Sequence, residues 1–210
     1  ASCIAADVDG VRQYIQFLRG GVAGVAAQDG KLLWFNPHAA HNVANCATPI
    51  YHDRHVFVTA GYGRGGRLIK LTTNSNGVEA TEVYSTANMK NHHGGVILVG
   101  GYLYGFDDPG LLNCLDFKTG ELKWSHRSVG KGSLVYADGH FIARSERGPV
   151  ALVEATPTGY VEKARFTPPS DPNPGWEPDA ARTWPHPVVA GGRLYLRHHN
   201  LLLCYDLKNL

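Results

Sequence analysis

The sequence predicts an all-β propeller of about five four-stranded blades, and three observations predict it. A unit of paired short apolar strands recurs five times over 210 residues, at a spacing of roughly forty to fifty residues. Its turns are marked by Gly30, Gly77, Gly120 and Gly159. The composition includes 25 Gly and one Met, with 43% hydrophobic and only 18% charged residues, a balance that suits short strands joined by many tight turns. Strand repeats of this length point to blades rather than to a helical solenoid.

The units divide approximately as 1–42, 43–90, 91–130, 131–182 and 183–210, within a single domain. Each opens on a hairpin of apolar strands. In order these surround Asp9-Gly10, His52-Asp53-Arg54-His55, Gly100-Gly101, Asp138-Gly139 and Gly191-Gly192. Glycine and its Asp and Asn kin supply the positive φ that such turns demand. The second half of each unit is a further strand pair: Val22 to Trp34, Leu68 to Tyr84, Cys114 to Trp124, Val150 to Phe166, and Leu201 onward. The fifth unit reaches only its third strand, and the first has no strand to spare for it. An arc of a larger seven- or eight-bladed ring is therefore expected, on the order of 300 to 400 residues if complete. A five-bladed ring with one deficient blade is the alternative.

A net charge of +2 with scattered Lys and Arg offers no stripe for nucleic acid. No apolar run is long enough for a membrane span, and the opening Ala1-Ser2-Cys3-Ile4 has no charged start or apolar core of a secretory leader. Cys3, Cys46, Cys114 and Cys204 are too few and too dispersed for a disulfide framework. Cys114 and Cys204 hold equivalent places in two units and read as free buried thiols.

The run Asp116-Phe117-Lys118-Thr119-Gly120-Glu121-Leu122-Lys123-Trp124 resembles the tryptophan-docking motif of quinoprotein-type propellers, Ala-x-Asp-x-x-Thr-Gly-x-x-x-Trp, with Cys114 where Ala is usual. The other units keep Gly30 with Trp34, Gly77, Gly159 and Asp206. The whole chain is similar to the C-terminal part of bacterial PQQ-like propeller repeat proteins, a superfamily that includes alcohol dehydrogenases and the outer-membrane assembly scaffold BamB. The resemblance implies that Trp34 and Trp124 pack between blades while Asp116, Thr119 and Gly120 hold the turn. It also implies a periplasmic or secreted protein. Fold likeness does not license an activity.

A quinoprotein dehydrogenase of that superfamily would show calcium ligands, an Asp base, a Trp beneath the quinone and commonly adjacent cysteines. No Cys-Cys pair exists here, and the only adjacent acidic pair is Asp107-Asp108. That pair is either a turn capped by Pro109-Gly110 or a cation or base site. No catalytic residue is assigned and no cofactor is expected; PQQ with calcium belongs to the dehydrogenase alternative.

The unusual polar residues fall in the segments that precede each innermost strand, at the mouth of the central channel. There, rigid strands carry variable loops. These segments supply Asn45 and Cys46, then Asn91, His92 and His93, then Lys131, and finally Trp184 and His186. They are the candidate binding residues for a protein, small molecule or glycan. Cys46 and His92 stand four residues before Ile50 and Val96. Together with His93 they could supply thiolate and imidazole to zinc or copper, although no CxxC or HxxxH spacing accompanies them. His52, His55, His140, His198 and His199 read as solvated turn residues. The Gly61–Gly66 run reads as a flexible link without the helix a phosphate loop needs. The Pro-rich run from Thr167 to Pro178, with Trp176, reads as an extended loop. The leading expectation is a non-catalytic binding scaffold of the bacterial envelope. Self-association through open blade edges is also expected. A fragment of a PQQ-dependent dehydrogenase and an assembly scaffold of BamB type are the alternatives.

Overall fold

The computed structural model describes residues 1–38, 40–169 and 182–208. They form five antiparallel sheets, with no helix among the described residues. The first sheet holds β1 (Ile4–Val8), β2 (Val11–Leu18), β3 (Gly21–Ala26) and β4 (Leu32–Asn36). The second holds β5 (Ile50–His52), β6 (His55–Ala60), β7 (Gly65–Asn74) and β8 (Gly77–Thr86). The third holds β9 (Val96–Val99), β10 (Tyr102–Asp107), β11 (Leu111–Asp116) and β12 (Leu122–His126). The fourth holds β13 (Gly132–Ala137), β14 (His140–Ser145), β15 (Val150–Glu154) and β16 (Glu162–Phe166). The fifth has β17 (Val188–Ala190), β18 (Arg193–His198) and β19 (Leu201–Asp206). Within every sheet the strands lie in sequence order.

In the three middle blades the second strand is buried almost throughout because a neighbouring blade covers each of its faces, whereas β2 and β18 of the end blades are covered on one face only. In the middle blades the period-2 alternation of side chains then divides the residues of that strand between two cores. In β6, Val56, Val58 and Ala60 join Ile15, Phe17 and Trp34 of the first sheet. Phe57, pointing the other way, joins Leu103, Leu115 and Phe117 of the third. In β10 and β14, Tyr104 and Phe106 meet Phe141 and Ala143, while Ile142 packs with Leu194 and Leu196. Four inter-blade cores thus join five blades. None of them links the fifth sheet to the first, so the described residues form an arc rather than a closed ring.

The outer strand pair carries the same irregularity in all four complete blades. A register shift falls at Gly24/Val25, Leu68/Ile69, Cys114/Leu115 and Leu152/Val153. Just before it, the fourth strand places Trp34, Tyr84, Trp124 and Ala164 opposite Gly24, Leu68, Cys114 and Leu152. Two of these side chains tie blades together. The Trp124 indole N–H donates to the Thr156 carbonyl at 2.9 Å, and the Tyr84 hydroxyl donates to the Phe117 carbonyl at 2.9 Å. Trp34 also lies in the core shared with the second blade, but its indole N–H donates to Gln13 Oε1 of its own blade at 2.8 Å. Asp116 holds the turn as expected: its Oδ1 accepts the N–H groups of Lys118 (2.9 Å) and Thr119 (2.8 Å) and the Thr119 hydroxyl (3.1 Å). Gly120 closes that turn at φ +73°.

Several expectations need correction. Trp124 is half-buried rather than buried, its ring held between Tyr104 and Tyr160 at centroid distances of 6.0 Å each. Cys114 is a buried free thiol, but Cys204 is exposed, since nothing among the described residues packs over that face of the fifth sheet. His52 and His55 are not simply solvated; both set their rings edge-on to Phe117, at 5.6 and 6.4 Å. The Gly61–Gly66 run is no flexible link. Gly61 to Arg64 forms a turn closed by a 3.2 Å backbone bond, and Gly65 and Gly66 are buried in β7. Trp176 lies outside the described residues.

Candidate functional site

Antiparallel order puts two kinds of segment at the same end of every blade: the turn between its second and third strands, and the linker that leads into the next blade. The linkers bring His41, His92, His93, Lys131, Arg182, Trp184 and His186. The turns bring Tyr62, Asp108 and Glu146. Close backbone approach lets the segments meet. A Cβ on Gly94 would lie 2.0 Å from the Gly132 carbonyl oxygen, so only glycine allows the third blade's linker so near the fourth blade.

A row of rings crosses this face. His41 stacks on Tyr62 at 5.0 Å, Tyr62 meets His92 edge-on at 5.0 Å, His92 lies 5.3 Å from His93, and His93 stacks on Trp184 at 5.1 Å. Tyr62 and Trp184 remain 52% and 49% exposed, so each offers ring area to solvent. Tyr62 adopts φ +54°, a left-handed conformation that is costly for a bulky residue.

Polar groups fix the two histidines. The Lys131 ammonium donates to His92 Nδ1 at 2.9 Å and pairs with Asp108 Oδ1 at 2.7 Å. Lysine has no acceptor, so the His92 proton sits on Nε2 and is donated to the Tyr62 oxygen at 3.2 Å. The His93 Nε2–H faces Glu146 Oε2 at 3.3 Å, and the same oxygen accepts the Trp184 indole N–H at 3.0 Å. Arg182 Nε lies 3.8 Å from the other Glu146 oxygen. Burial holds the His92 imidazole below its ordinary pKa, assisted by the Lys131 charge, and burial lowers that of His93 against the opposing pull of Glu146. Both rings are therefore neutral at neutral pH. His93 Nδ1 is left as a buried acceptor with no hydrogen-bond partner. A depression too shallow to enclose a molecule lies beside the two imidazoles, lined in part by His92, His93, Asp108 and Lys131.

The structure thus brings His92, His93, Lys131, Trp184 and Asp108 together, and it ties His186 to them through the His93 carbonyl at 2.9 Å. Asn91 serves the backbone: its amide group bonds Gly95 N (3.0 Å), Gly95 O (3.0 Å) and Phe106 O (2.9 Å). Asn45 grips both backbone groups of His41 at 2.7 Å and so sets the first ring of the row. Cys46 is an exposed free thiol. Asp107 is buried, its carboxyl raised above the usual range by burial, and it accepts the Lys90 N–H and lies 3.2 Å from Lys90 Nζ. Among the described residues no group of three or more His, Cys, Asp or Glu is disposed to hold a metal ion. Sequence reasoning missed His41, Tyr62, Glu146 and Arg182. The signal available was topological, since second-to-third-strand turns share a face with the linkers.

Against known proteins, a family model described as outer membrane protein assembly factor BamB matches residues 2–126. No curated protein matches the chain. Among solved structures, the computationally designed Ika8 protein superposes with a TM-score of 0.64 at 12% identity, over 97% of this chain and 57% of that one. BamB from Moraxella catarrhalis gives 0.49 at 16% identity, over 99% and 69%. The N-terminal domain of Nup159 gives 0.53 at 12%, over 75% and 42%. Identities this low speak to fold alone. The chain spans 57% of the length of Ika8, and no described helix is long and apolar enough to cross a membrane.

Proposed function

The chain belongs to the PQQ-like propeller family whose model is described as outer membrane protein assembly factor BamB, and on that premise we propose a non-catalytic binding scaffold. Its working surface is the linker-and-turn face, and its occupant is a ligand or a protein. One observation carries this reading. All five units send side chains into a single row of rings and paired charges on that face, with Tyr62 and Trp184 half exposed. Such convergence of aromatic and polar groups on loops held by rigid strands is the usual make-up of a recognition surface.

The two carboxylates that would serve a cation are each paired with a lysine ammonium, Asp107 with Lys90 and Asp108 with Lys131. The depression is also too shallow to enclose a molecule, whereas sites that enclose a small molecule such as a quinone cofactor run to roughly 300–1,000 Å³. Both points favour surface recognition over quinone chemistry. The family description, with its outer-membrane assembly factor, supports placing the chain in a bacterial envelope, periplasmic or secreted. Dye-linked oxidation of alcohols and sugars, assayed with added PQQ and calcium, tests the reading. We expect none; oxidation abolished by Asp107→Ala or Asp108→Ala would overturn it.

A further inference from the structure

We propose, resting on the binding-scaffold reading, that the linker-and-turn face docks an acidic segment of a partner protein, its carboxylates on arginines carried one to a blade and its apolar side chains against Tyr62 and Trp184. The turns between second and third strands bring Arg19, Arg64 and Arg147, the third linker brings Arg127, and the end of β18 brings Arg197. All five are exposed and stand outside every ion pair among the described residues; Arg197 uses one N–H on the His199 carbonyl at 3.2 Å. The carboxylates described at this end are already matched, Asp107 by Lys90, Asp108 by Lys131 and Glu146 by Arg182. A surplus of positive charge is left here, although the whole chain carries only +2. Carboxylates gather at the opposite end instead, with Asp9, Asp53 and Asp138 in the first-to-second-strand turns and Asp29 and Asp116 in the third-to-fourth.

The make-up of the face selects a protein over other polyanions. Every unpaired cation described on it is an arginine, since Lys90 and Lys131 are committed to aspartates. Arginine meets a carboxylate with two parallel N–H bonds. Arg, Tyr and Trp are also the residue types that dominate binding energy at protein interfaces. The half-exposed rings of Tyr62 and Trp184 suit apolar side chains set between the carboxylates. A phosphate backbone would meet single charges, one to a blade, rather than a continuous stripe. The groups are also preset by closed turns. Tyr62 and Arg64 share the turn closed from Arg64 N to Gly61 O at 3.2 Å, the Ser145 hydroxyl holds the Arg147 N–H at 3.1 Å, and the Arg127 carbonyl accepts from Gly130 at 2.7 Å. Less ordering entropy is lost when a segment settles across them, and a segment lying on the surface needs no cavity.

The test titrates the full chain with a short peptide that alternates acidic pairs with phenylalanine, and with its counterpart carrying Gln and Asn in place of Glu and Asp. Separate arms use single-stranded oligothymidylate and vesicles of phosphatidylglycerol with phosphatidylcholine. Binding is followed by ¹H–¹⁵N chemical-shift mapping at about 50 and about 300 mM salt. The acidic peptide should bind in the millimolar range or tighter, with shifts centred on Tyr62, Arg64, Arg147 and Trp184. Raising the salt should weaken it by about fivefold or more, and the neutral peptide should bind at least about tenfold more weakly. Arg64→Ala combined with Arg147→Ala should lower the affinity by about tenfold. Both side chains are exposed, so the variant keeps its fold, checked by an unchanged circular dichroism spectrum. Arg12→Ala, which removes the partner of Asp7 at the opposite end, should change nothing. No binding of the acidic peptide, equal binding of the two peptides, or affinity indifferent to the arginine pair overturns the proposal. Oligonucleotide or vesicle binding at these arginines in place of the peptide also overturns it while leaving the scaffold reading intact; PQQ-dependent oxidation would instead remove the scaffold reading.

Discussion

Replacing Trp34 by alanine removes a side chain that is 4% exposed and sits in the core between the first two blades. Truncating a large buried aromatic costs about 3–5 kcal/mol through lost transfer energy and the hole left behind. Here the hole cannot close from beneath. The indole lies directly on Gly24, where even a Cβ would come within 2.2 Å of Nε1, so no side chain stands ready to fill it. The substitution also orphans Gln13, whose Oε1 accepts the indole N–H and whose Nε2 already lacks a partner. Leaving a buried acceptor unmade adds about 1–3 kcal/mol. Trp34→Ala should therefore cost about 5 kcal/mol, a large share of the 5–15 kcal/mol typical of a domain. Trp34→Phe, which keeps most of the ring but loses the N–H, should cost about 1–3 kcal/mol. Trp124→Ala should fall near the lower end, about 3 kcal/mol, because that ring is only half-buried. Urea unfolding followed by circular dichroism measures all three. A Trp34→Ala cost below about 2 kcal/mol, or below that of Trp124→Ala, would refute the reasoning.

Protonating His92 and His93 is opposed by burial, so their folded pKa values lie below the unfolded value of about 6.5. In that window the unfolded chain binds more protons, so the contribution to stability is complete above pH 6.5 and is lost as pH falls below it. NMR titration should place both midpoints under 6.5, with Lys131→Met raising that of His92; midpoints at or above 6.5 would contradict this. The Cys114 thiol, pushed up to about 11 by burial, should resist a thiol reagent in the native protein while Cys3, Cys46 and Cys204 react. Rapid native labelling of Cys114 would show that the third and fourth blades do not pack as described. β19 has no partner strand on its outer side among the described residues, and Leu202 is 72% exposed. Light scattering should therefore detect self-association that Leu202→Lys reduces; a monomer at high concentration would count against an open edge.

What the sequence made legible was local. The Asp116-to-Trp124 run predicts its own turn because the Asp side chain, the Thr hydroxyl and the glycine φ all act within a few residues. The blade period followed from turn glycines and apolar alternation. What stayed hidden depended on neighbouring blades. Cys204 occupies the same place as Cys114, yet burial comes from the next blade, which covers only Cys114. Tyr84 ties the second blade to the third just as Trp124 ties the third to the fourth. In the fourth blade the docking position falls to Ala164, and Phe166 meets Tyr205 at 5.0 Å instead. At the site, the linkers were readable as rim segments because their polar residues interrupt apolar strands. Glu146 and Tyr62 looked like ordinary turn residues. Only the pairing order shows that their turns open on the same face.

The most direct measurement is a nuclear Overhauser spectrum of the full chain, read between aromatic rings. The account predicts cross-peaks from the Trp184 indole to the His93 ring, and from Tyr62 to His92, since those ring centroids lie 5.1 and 5.0 Å apart. These residues are contributed by three different blades, so the peaks can arise only if the linkers and turns converge as described. Their absence, with the Trp34-to-Gln13 contacts present to show that the blades are folded, would contradict the assembled recognition face.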